Sequence, residues 1–207
     1  MYKMSNNIEH WNNIYETKGP SEVSWTEDYP SYSIEFIESL SLDKSLPIID
    51  IGGGDSRVVD SLLELGFDNI TVLDISENAL NRAKLRLGKI SNKIEWISCD
   101  ILNFKPKKTY NLWHDRACFH FLTEPKHINY YKNIVRKNVI NHLLISTFSD
   151  RGPLKCSGLQ VTRYNCDTIK SNFEDSFKLI DCEYKIHKTP FNTEQSFIYS
   201  SFKRKFN

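Results

Sequence analysis

Apolar positions along this chain recur with two different spacings, and the alternation between them predicts the secondary structure. Short apolar runs are typical of strands that are buried on both faces of a parallel sheet. Longer segments in which apolar residues repeat every three or four positions are typical of amphipathic helices. The predicted strands cover residues 47–51, 69–74, 93–98, 110–114 and 139–148. The predicted helices cover residues 7–15, 31–40, 56–65, 77–87 and 124–137.

Residues at the helix ends support several of these boundaries. Ser31 or Ser33 is predicted to cap the second helix and Ser76 the fourth, because a serine oxygen accepts a hydrogen bond from a free helix amide. Gly66 and Gly88 directly follow the third and fourth predicted helices, and a glycine commonly ends a helix at that position.

The pattern changes towards the C-terminus. Residues 177–188 and 196–205 are long, alternating and rich in aromatic side chains, which predicts an antiparallel strand pair. The alternation of strands and helices before them predicts parallel pairing, with helices on both faces of the sheet. The expected fold class is therefore α/β, with a doubly wound sheet that is mostly parallel and ends in a C-terminal antiparallel strand pair.

Composition and charge exclude several classes of partner. The 207 residues are 40% hydrophobic and carry a net charge of +1, as in an ordinary globular domain. We expect no nucleic-acid partner, because no basic surface is indicated, and no membrane partner, because no apolar run of about 18 residues exists. The N-terminus lacks an apolar segment and the chain has no C-x-x-C pair. These features predict a cytoplasmic protein with reduced cysteines and no metal site.

Polar residues stand where the predicted parallel strands end, which is where open α/β sheets bind ligands. The first strand runs through Asp50 into three glycines at positions 52 to 54, and glycines let a backbone turn sharply against a ligand. Asp74 ends the second strand, 22 residues after the first of these glycines. At that spacing a carboxylate can accept hydrogen bonds from ribose hydroxyls. Asp100 follows the third strand, and Asp115 lies at the end of the fourth.

The glycine spacing argues against a dinucleotide cofactor. Arg57 stands where the pattern G-x-G-x-x-G requires its third glycine, which lets a helix pack closely beneath a pyrophosphate. We therefore do not expect nicotinamide or flavin.

Residues 48–55, 71–76 and 99–100 resemble the first three motifs of the class I S-adenosylmethionine-dependent methyltransferases. The resemblance extends from about residue 10 to the last strand and implies a Rossmann-like fold, with S-adenosyl-L-methionine as methyl donor and S-adenosyl-L-homocysteine as product. One departure is Ser56, where the family often has a further glycine. The implied cofactor-binding residues are Asp50, Gly52, Gly53 and Gly54 for the methionine part, Asp74 with Ile75 for the ribose, Asp100 with Ile101 for the adenine, and in addition His114, Tyr15 and Trp25.

The same resemblance suggests how the chain is organised. We expect one methyltransferase domain over residues 1–207. Its expected parts are an N-terminal helical lid segment over 1–45, a cofactor-binding core over 46–148, and a substrate-side loop with the C-terminal strand pair over 149–207.

Trp11, Tyr15 and Trp25 lie in the expected lid segment. In many relatives such a segment folds over the cofactor, and aromatic faces suit a cation such as a sulfonium. Ordinary packing of an N-terminal helix onto the sheet explains these residues equally well.

Residues 113–122 and 155–159 resemble a bacterial branch of small methyltransferases. They resemble more distantly the lysine methyltransferases that act on translation elongation factors and citrate synthase. The first hypothesis is therefore methyl transfer by in-line displacement to an oxygen, nitrogen or sulfur nucleophile of a small-molecule acceptor. A protein lysine is the alternative substrate, and a non-catalytic cofactor-binding module is a lesser alternative.

The residues after the fourth strand face the sulfonium in this fold, so the catalytic candidates are Asp115, Arg116 and His120. Asp115 can position an acceptor amine. If the chain is helical from Arg116 onward, His120 follows one turn later on the same face and can act as a general base near neutral pH. The alternative is a structural Asp115–Arg116 ion pair and a core histidine. We expect His114 to contact the cofactor through its backbone.

Further alternatives concern the acceptor. Arg163 and Tyr164, at the end of a long loop, can bind an acidic or aromatic acceptor or pair with the sheet edge. Cys118 and Cys156 permit an arsenic methyltransferase, although small buried thiols are the favoured interpretation. The Pro-Pro motif of methyltransferases that act on DNA bases and glutamine is absent, which argues against a nucleic-acid substrate.

Overall fold

The structure is a computed structural model that describes residues 4–205. The described chain divides into two compact units. One runs through Phe104 and includes Thr189–Phe191, and the other contains Lys105–Lys188 and the residues that follow Phe191.

Within the described residues, the first unit contains four helices and three strands. The helices are α1 (Met4–Thr17), α2 (Ser31–Ser39), α3 (Val58–Glu64) and α4 (Glu77–Leu87), with short 3-10 helices at Pro20–Glu22 and Gly88–Lys93. The strands are β1 (Ile48–Ile51), β2 (Ile70–Asp74) and β3 (Glu95–Ser98).

The described part of the second unit contains two helices and six strands. The helices are α5 (Pro125–Asn138) and α6 (Cys166–Phe173), with a 3-10 helix at Phe119–Phe121. The strands are β4 (Tyr110–Arg116), β5 (Val139–Phe148), β6 (Lys155–Cys156), β7 (Leu159–Gln160), β8 (Phe177–Lys188) and β9 (Glu194–Arg204).

The sheet confirms the predicted fold class. Its seven strands between residues 4 and 205 follow the order β3-β2-β1-β4-β5-β9-β8. The pairs β1–β2, β2–β3 and β4–β5 are parallel, whereas β9 is antiparallel to both β5 and β8. Every residue of β1 and β2 is buried, and apart from Asp50, Thr71 and Asp74 these strands are apolar. Among residues 4–205, no helix is long and apolar enough to span a membrane.

The helix ends follow local chemistry, with one correction. Ser76 caps α4 as predicted, since its hydroxyl accepts a hydrogen bond of 3.2 Å from the amide of Ala79. Gly66 follows α3 with a φ of 86°, as predicted for a glycine that ends a helix. The predicted cap of α2 is wrong, because Pro30 precedes this helix and makes no side-chain cap, whereas Ser31 is its first residue.

Several element predictions need revision. Helix α1 begins earlier than predicted, and β4 continues two residues further, to Arg116. The predicted loop over residues 149–164 contains the β6–β7 hairpin. Helix α6 was not predicted, although Asn165 and Thr168 cap it reciprocally with side-chain-to-amide hydrogen bonds of 2.9 Å. A helix of eight residues contains too few apolar repeats for a clear periodic signal.

The expectation of reduced cysteines is wrong for two of the five. Cys166 at the start of α6 and Cys182 in β8 form a disulfide. Cys99, Cys118 and Cys156 are free thiols. The sequence lacked a signal for this pair because the two cysteines are 16 residues apart and meet only through the packing of α6 on β8.

Candidate functional site

The glycine turn after β1 is closely packed. Gly52 and Gly54 have φ values of 66° and 50°, a region of backbone conformation that favours glycine. A Cβ atom added to Gly53 would lie 2.6 Å from Cγ1 of Val72 and 2.7 Å from Oδ2 of Asp50. The turn therefore requires glycine for backbone shape at its two ends and for space at its centre.

Asp74 ends β2 beside this turn and is only 5% exposed. Its Oδ1 accepts a 2.7 Å hydrogen bond from the amide of Ser76, and the amide of Gly54 also donates to its carboxyl group. Burial raises the pKa of Asp74 to about 7, the two amides oppose this shift, and the nearby charges of Asp50 and Asp55 add to it. The site thus holds a buried carboxylate that gains stability from any further hydrogen-bond donor.

Helix α1 contacts the start of α4 through Asn12. The hydroxyl of Ser76 donates to Asn12 Oδ1 at 2.8 Å, and the side-chain amide of Asn78 donates to the Asn12 carbonyl at 3.1 Å. Sequence reasoning missed Asn12, since an asparagine in the middle of a predicted helix carries no distinctive signal. Its partners lie more than 60 residues away, and these bonds hold α1 beside the residues that follow Asp74.

The aromatic residues of the N-terminal segment form a cluster in the first unit. The rings of Trp11, Tyr15 and Trp25 are 5.7 to 6.5 Å apart. Tyr15 is buried, and its hydroxyl would lie 2.8 Å from a Cβ atom added to Gly54. The structure therefore brings Tyr15 to the glycine turn, and Trp25 belongs to the same aromatic cluster.

The residues after β3 lie at the end of the neighbouring strand. The amide of Cys99 donates to the Asp74 carbonyl at 2.9 Å, which joins the ends of β2 and β3. Asp100 and Ile101 are buried, and Asp100 Oδ1 accepts a hydrogen bond from the amide of Leu102 at 2.9 Å. Ile75 is half-buried beside Asp74.

Asp115 in β4 is fully buried and accepts hydrogen bonds from the protein itself. Its Oδ1 accepts from the amides of Cys118 and Phe119 at 3.0 and 3.1 Å, and its Oδ2 accepts from the Tyr131 hydroxyl at 2.5 Å. Burial raises the pKa of Asp115 to about 6, against the opposing effect of these donors. The carboxylate holds the turn that follows β4, which is a structural task.

The expected helical relationship between Arg116 and His120 is wrong. Arg116 is the last residue of β4, Ala117 has a φ of 66°, and His120 lies within the 3-10 helix. His120 is fully buried, and its Nδ1 accepts a hydrogen bond of 3.2 Å from the amide of Phe148. Burial lowers the pKa of His120 to about 3, and the charge of Arg116 lowers it further. This histidine is therefore neutral at physiological pH and a poor proton acceptor.

Arg116 is fixed by residues of β9. Its Nε donates to the Tyr199 hydroxyl at 3.0 Å, and its guanidinium lies 5.2 Å from the centre of the Phe197 ring. His114, two residues earlier in the same strand, is 1% exposed.

The remaining acceptor candidates differ in their exposure and contacts. The guanidinium of Arg163 is exposed and donates to the Gly152 carbonyl at 3.1 Å, whereas Tyr164 is buried with its ring 5.3 Å from that of Phe119. Burial raises the pKa of the Cys156 thiol to about 12, although Arg116 opposes the shift. A thiol that stays protonated is a poor metalloid ligand, which argues against the arsenic alternative.

Comparison with known proteins finds a family match over part of the chain. Residues 48–137, which include the glycine turn, Asp74, Asp100 and the end of β4, match the family described as methyltransferase domain. The chain is 35% identical over 106 residues to the malonyl-[acyl-carrier protein] O-methyltransferase of Anoxybacillus flavithermus, a match that covers 50% of this chain. The family match covers 90 of the 207 residues and supports a methyltransferase domain over this part of the chain. The matched region spans 39% of the length of the Anoxybacillus relative.

Solved structures of methyltransferases share the fold. A SAM-dependent methyltransferase from Anabaena variabilis superposes with a TM-score of 0.75 at 14% identity, over 97% of this chain and 94% of that one. Magnesium protoporphyrin IX methyltransferase from Synechocystis, with bound SAM, gives a TM-score of 0.68 at 13% identity, over 99% and 94% of the two chains. The predicted glycine, ribose and adenine motifs of this chain stand at the ends of β1, β2 and β3.

Proposed function

We propose that this chain transfers the methyl group of S-adenosylmethionine to a small-molecule acceptor. The observation that carries the proposal is the pairing of the glycine turn with the buried Asp74 carboxylate in the first unit. S-adenosylmethionine supplies a sulfonium methyl group that is already activated for displacement. The protein therefore has to bind the cofactor, orient the acceptor towards the methyl group and exclude water.

The residues of the first unit fit this cofactor. Asp74 is a buried acceptor whose ionised form the ribose hydroxyls would stabilise. The glycines at positions 52 to 54 leave room for close approach to the backbone, as a methionine part requires, and Asp50 beside them can orient its amino group. The buried pair of Asp100 and Ile101, with Ile75, would hold the adenine.

Aromatic and strand-end residues complete the proposed cofactor site. Tyr15 lies against Gly54, and Trp25 packs on it, so this cluster offers aromatic faces on the side of the glycine turn. Such faces favour a cation such as a sulfonium. We propose in addition that the backbone of His114 contacts the cofactor.

The candidate residues at the end of β4 and in the turn that follows it supply no effective base. The Asp115 carboxylate is occupied by three protein donors, and His120 has a pKa of about 3. We infer that the acceptor presents a nucleophile that is already ionised or already unprotonated. The chain's contribution to the step is then alignment and exclusion of water rather than proton removal.

Known relatives support an acceptor of small size. The Anoxybacillus relative is named for O-methylation of a malonyl group on an acyl-carrier protein. Two solved structures with the same fold are named for magnesium protoporphyrin IX and for 1,6-didemethyltoxoflavin. The acceptors in these names differ in their chemistry. Together they favour a small acceptor group without identifying it.

Titration calorimetry with S-adenosylhomocysteine tests the cofactor site. We expect Asp74→Ala to weaken binding by at least about tenfold, because ribose hydroxyls would lose a charged acceptor. Asp68→Ala, which removes an exposed carboxylate from the same unit, should bind as the wild type does. Wild-type affinity in Asp74→Ala would contradict the ribose assignment.

A screen of acceptors tests the transfer itself. The wild-type protein is incubated with S-adenosylmethionine and panels of small acids, amines, phenols and thiols, and formation of S-adenosylhomocysteine is measured. Acceptor-dependent product with a member of any panel supports the proposal. Product formed only with lysine-containing proteins would contradict the small-molecule acceptor.

A further inference from the structure

We propose that Arg86 in α4 is a positioning residue for the cofactor, because its guanidinium holds the segment in which the glycine turn ends. The inference rests on the function proposed above and deepens it, since it names the side chain that keeps the turn in the shape that receives the methionine part. The glycine turn, α3 and α4 all lie in the first unit.

The guanidinium of Arg86 donates to two consecutive backbone carbonyls directly after Gly54. Its Nη1 donates to the Asp55 carbonyl at 2.8 Å, and its Nη2 donates to the Ser56 carbonyl at 2.9 Å. Both distances are typical of charge-assisted hydrogen bonds. Because Arg86 is 30 residues further along the chain than Ser56, these bonds tie the turn to a helix that follows the next strand.

The bond to the Asp55 carbonyl extends into the turn itself. In a planar trans peptide the carbonyl and the following amide point in opposite directions, so the amide of Ser56 is directed away from Arg86. That amide donates to the Gly53 carbonyl at 2.8 Å, which closes the turn. The guanidinium therefore polarises a peptide whose amide holds the central glycine, and hydrogen bonds in such a chain strengthen one another.

Asp60 in α3 fixes the direction of the Arg86 side chain. Its two carboxylate oxygens accept hydrogen bonds from Nε and Nη2 of Arg86 at 3.0 and 2.7 Å, which is the two-bond geometry of an arginine–carboxylate pair. Both side chains are half-buried. Such a pair also contributes to stability by joining two helices, so the test has to separate positioning from stability.

Arg82 supports the same segment from one helical turn earlier in α4. Residues four apart lie on the same side of a helix, so Arg82 and Arg86 share a side. Nη1 of Arg82 lies 3.6 Å from Oδ2 of Asp55, and its guanidinium lies 5.8 Å from the centre of the Tyr15 ring. Helix α4 therefore presents two arginines to the segment that follows Gly54.

The glycine content of the turn explains why support from another helix affects binding. Glycine has more accessible backbone conformations than other residues, so ordering it costs more entropy. Only the molecules in which the turn has the correct shape bind the ligand, and the apparent affinity falls with their fraction. Hydrogen bonds from Arg86 to the Asp55 and Ser56 carbonyls raise this fraction before the ligand arrives.

Binding of two ligands that differ in the amino-acid part separates positioning from stability. S-adenosylhomocysteine carries this part, whereas 5′-methylthioadenosine keeps the ribose and adenine and lacks it. Ligand-observed NMR titrations of the intact protein are made well below its melting temperature. We expect Arg86→Gln to weaken binding of S-adenosylhomocysteine by about tenfold and that of 5′-methylthioadenosine by less than about twofold. A loss of folded protein would lower both affinities by the same factor.

Arg57→Gln is the matched control, because it removes the same charge from an exposed side chain directly after Ser56. Its affinity for both ligands should stay within about twofold of the wild type. An equal loss of S-adenosylhomocysteine affinity in Arg57→Gln and Arg86→Gln would assign the effect to local charge and overturn the positioning role.

A second variant guards against misfolding of the first. Asp60→Asn leaves the guanidinium of Arg86 in place and removes the charge that fixes its direction. We expect several-fold weaker binding of S-adenosylhomocysteine at an unchanged affinity for 5′-methylthioadenosine. Addition of Asp60→Asn to Arg86→Gln should cause no further loss, because Asp60 acts on the turn through Arg86. Losses that add in the double variant would contradict this route.

The outcomes separate this inference from the proposed function. Equal factors of loss for the two ligands in Arg86→Gln, or wild-type affinity of that variant for S-adenosylhomocysteine, overturn the positioning role and leave the proposed function standing. Asp74→Ala should instead weaken both ligands, because both carry the ribose. Failure of the wild type to bind S-adenosylhomocysteine, or its adenosine part alone, overturns the proposed cofactor site and the positioning role with it.

Discussion

The hydroxyl of Tyr131 in α5 donates a 2.5 Å hydrogen bond to Oδ2 of Asp115 in β4, and both side chains are fully buried. The Tyr131 oxygen in turn accepts from Nε1 of Trp113 at 2.9 Å. This chain of hydrogen bonds joins the helix to the strand and fixes the carboxylate that holds the following turn.

Removal of the Tyr131 hydroxyl should destabilise the protein. We expect Tyr131→Phe to lower the free energy of unfolding by about 1–3 kcal/mol, because the buried carboxylate loses a donor. The pKa of Asp115, already raised to about 6, should rise further. The folded wild type already binds this proton below a pH of about 6, so the difference in stability between variant and wild type should grow only as the pH rises above about 6. Urea unfolding at several pH values measures this.

Tyr29→Phe is the matched control for this prediction, because Tyr29 is 57% exposed. It should leave the unfolding free energy within about 0.5 kcal/mol of the wild type. Equal stability of Tyr131→Phe and Tyr29→Phe would contradict the structural task assigned to Asp115.

Alanine at Gly54 should impair cofactor binding, whereas alanine at Gly66 should not. Both glycines have a positive φ, so each substitution should cost about 1 kcal/mol or more of stability. Only at Gly54 does the new Cβ meet other atoms, 2.8 Å from the Tyr15 hydroxyl and 3.3 Å from Asp74 Oδ2. Calorimetry with S-adenosylhomocysteine should show at least about a tenfold loss for Gly54→Ala alone. Equal affinities of the two variants for S-adenosylhomocysteine would contradict a role of the glycine turn in cofactor binding.

The affinity for S-adenosylhomocysteine should depend on pH through Asp74. Burial raises the pKa of Asp74 to about 7, and hydroxyl donors of a ribose prefer the ionised form. Affinity should therefore be constant above pH 7 and fall by up to about tenfold for each pH unit below it. Calorimetry between pH 5.5 and 8 measures the profile, and Asp74→Asn should be flat over the same range. A flat wild-type profile would contradict the role of Asp74.

In the ligand-free protein the same group should have the opposite effect on stability. The folded state holds the Asp74 proton more tightly than the unfolded state, so this group's contribution to stability falls as pH rises from about 4 to 7.

Reduction of the Cys166–Cys182 disulfide should lower stability. The bond joins residues 16 positions apart, and a loop of that size is expected to contribute about 3 kcal/mol by restricting the unfolded chain. The melting temperature of the wild type should therefore fall when a reductant is added. The double variant Cys166→Ser and Cys182→Ser should melt at the lower temperature with or without reductant. A wild-type melting temperature that is the same with and without reductant would contradict the disulfide.

Local chemistry determined much of the fold from the sequence alone. Apolar spacing placed strands β1 to β5, and Ser76 and Gly66 marked helix ends, because each feature depends on residues within one or two turns of the chain. The strand-end pattern of glycines, Asp74 and Asp100 predicted the resemblance to methyltransferases for the same reason.

Only the tertiary structure decided the state of individual side chains. Asp115 meets Tyr131 16 residues away, His120 meets Phe148 28 residues away, and Arg116 meets Tyr199 83 residues away. Burial and these distant partners determine which groups are charged and which hydrogen bonds form. The sequence therefore named Asp115, Arg116 and His120 as a set. Packing gave the first a structural task, fixed the second against β9 and buried the third as a hydrogen-bond acceptor. The reason is that the pKa and hydrogen bonding of a side chain depend on neighbours that the local sequence does not contain.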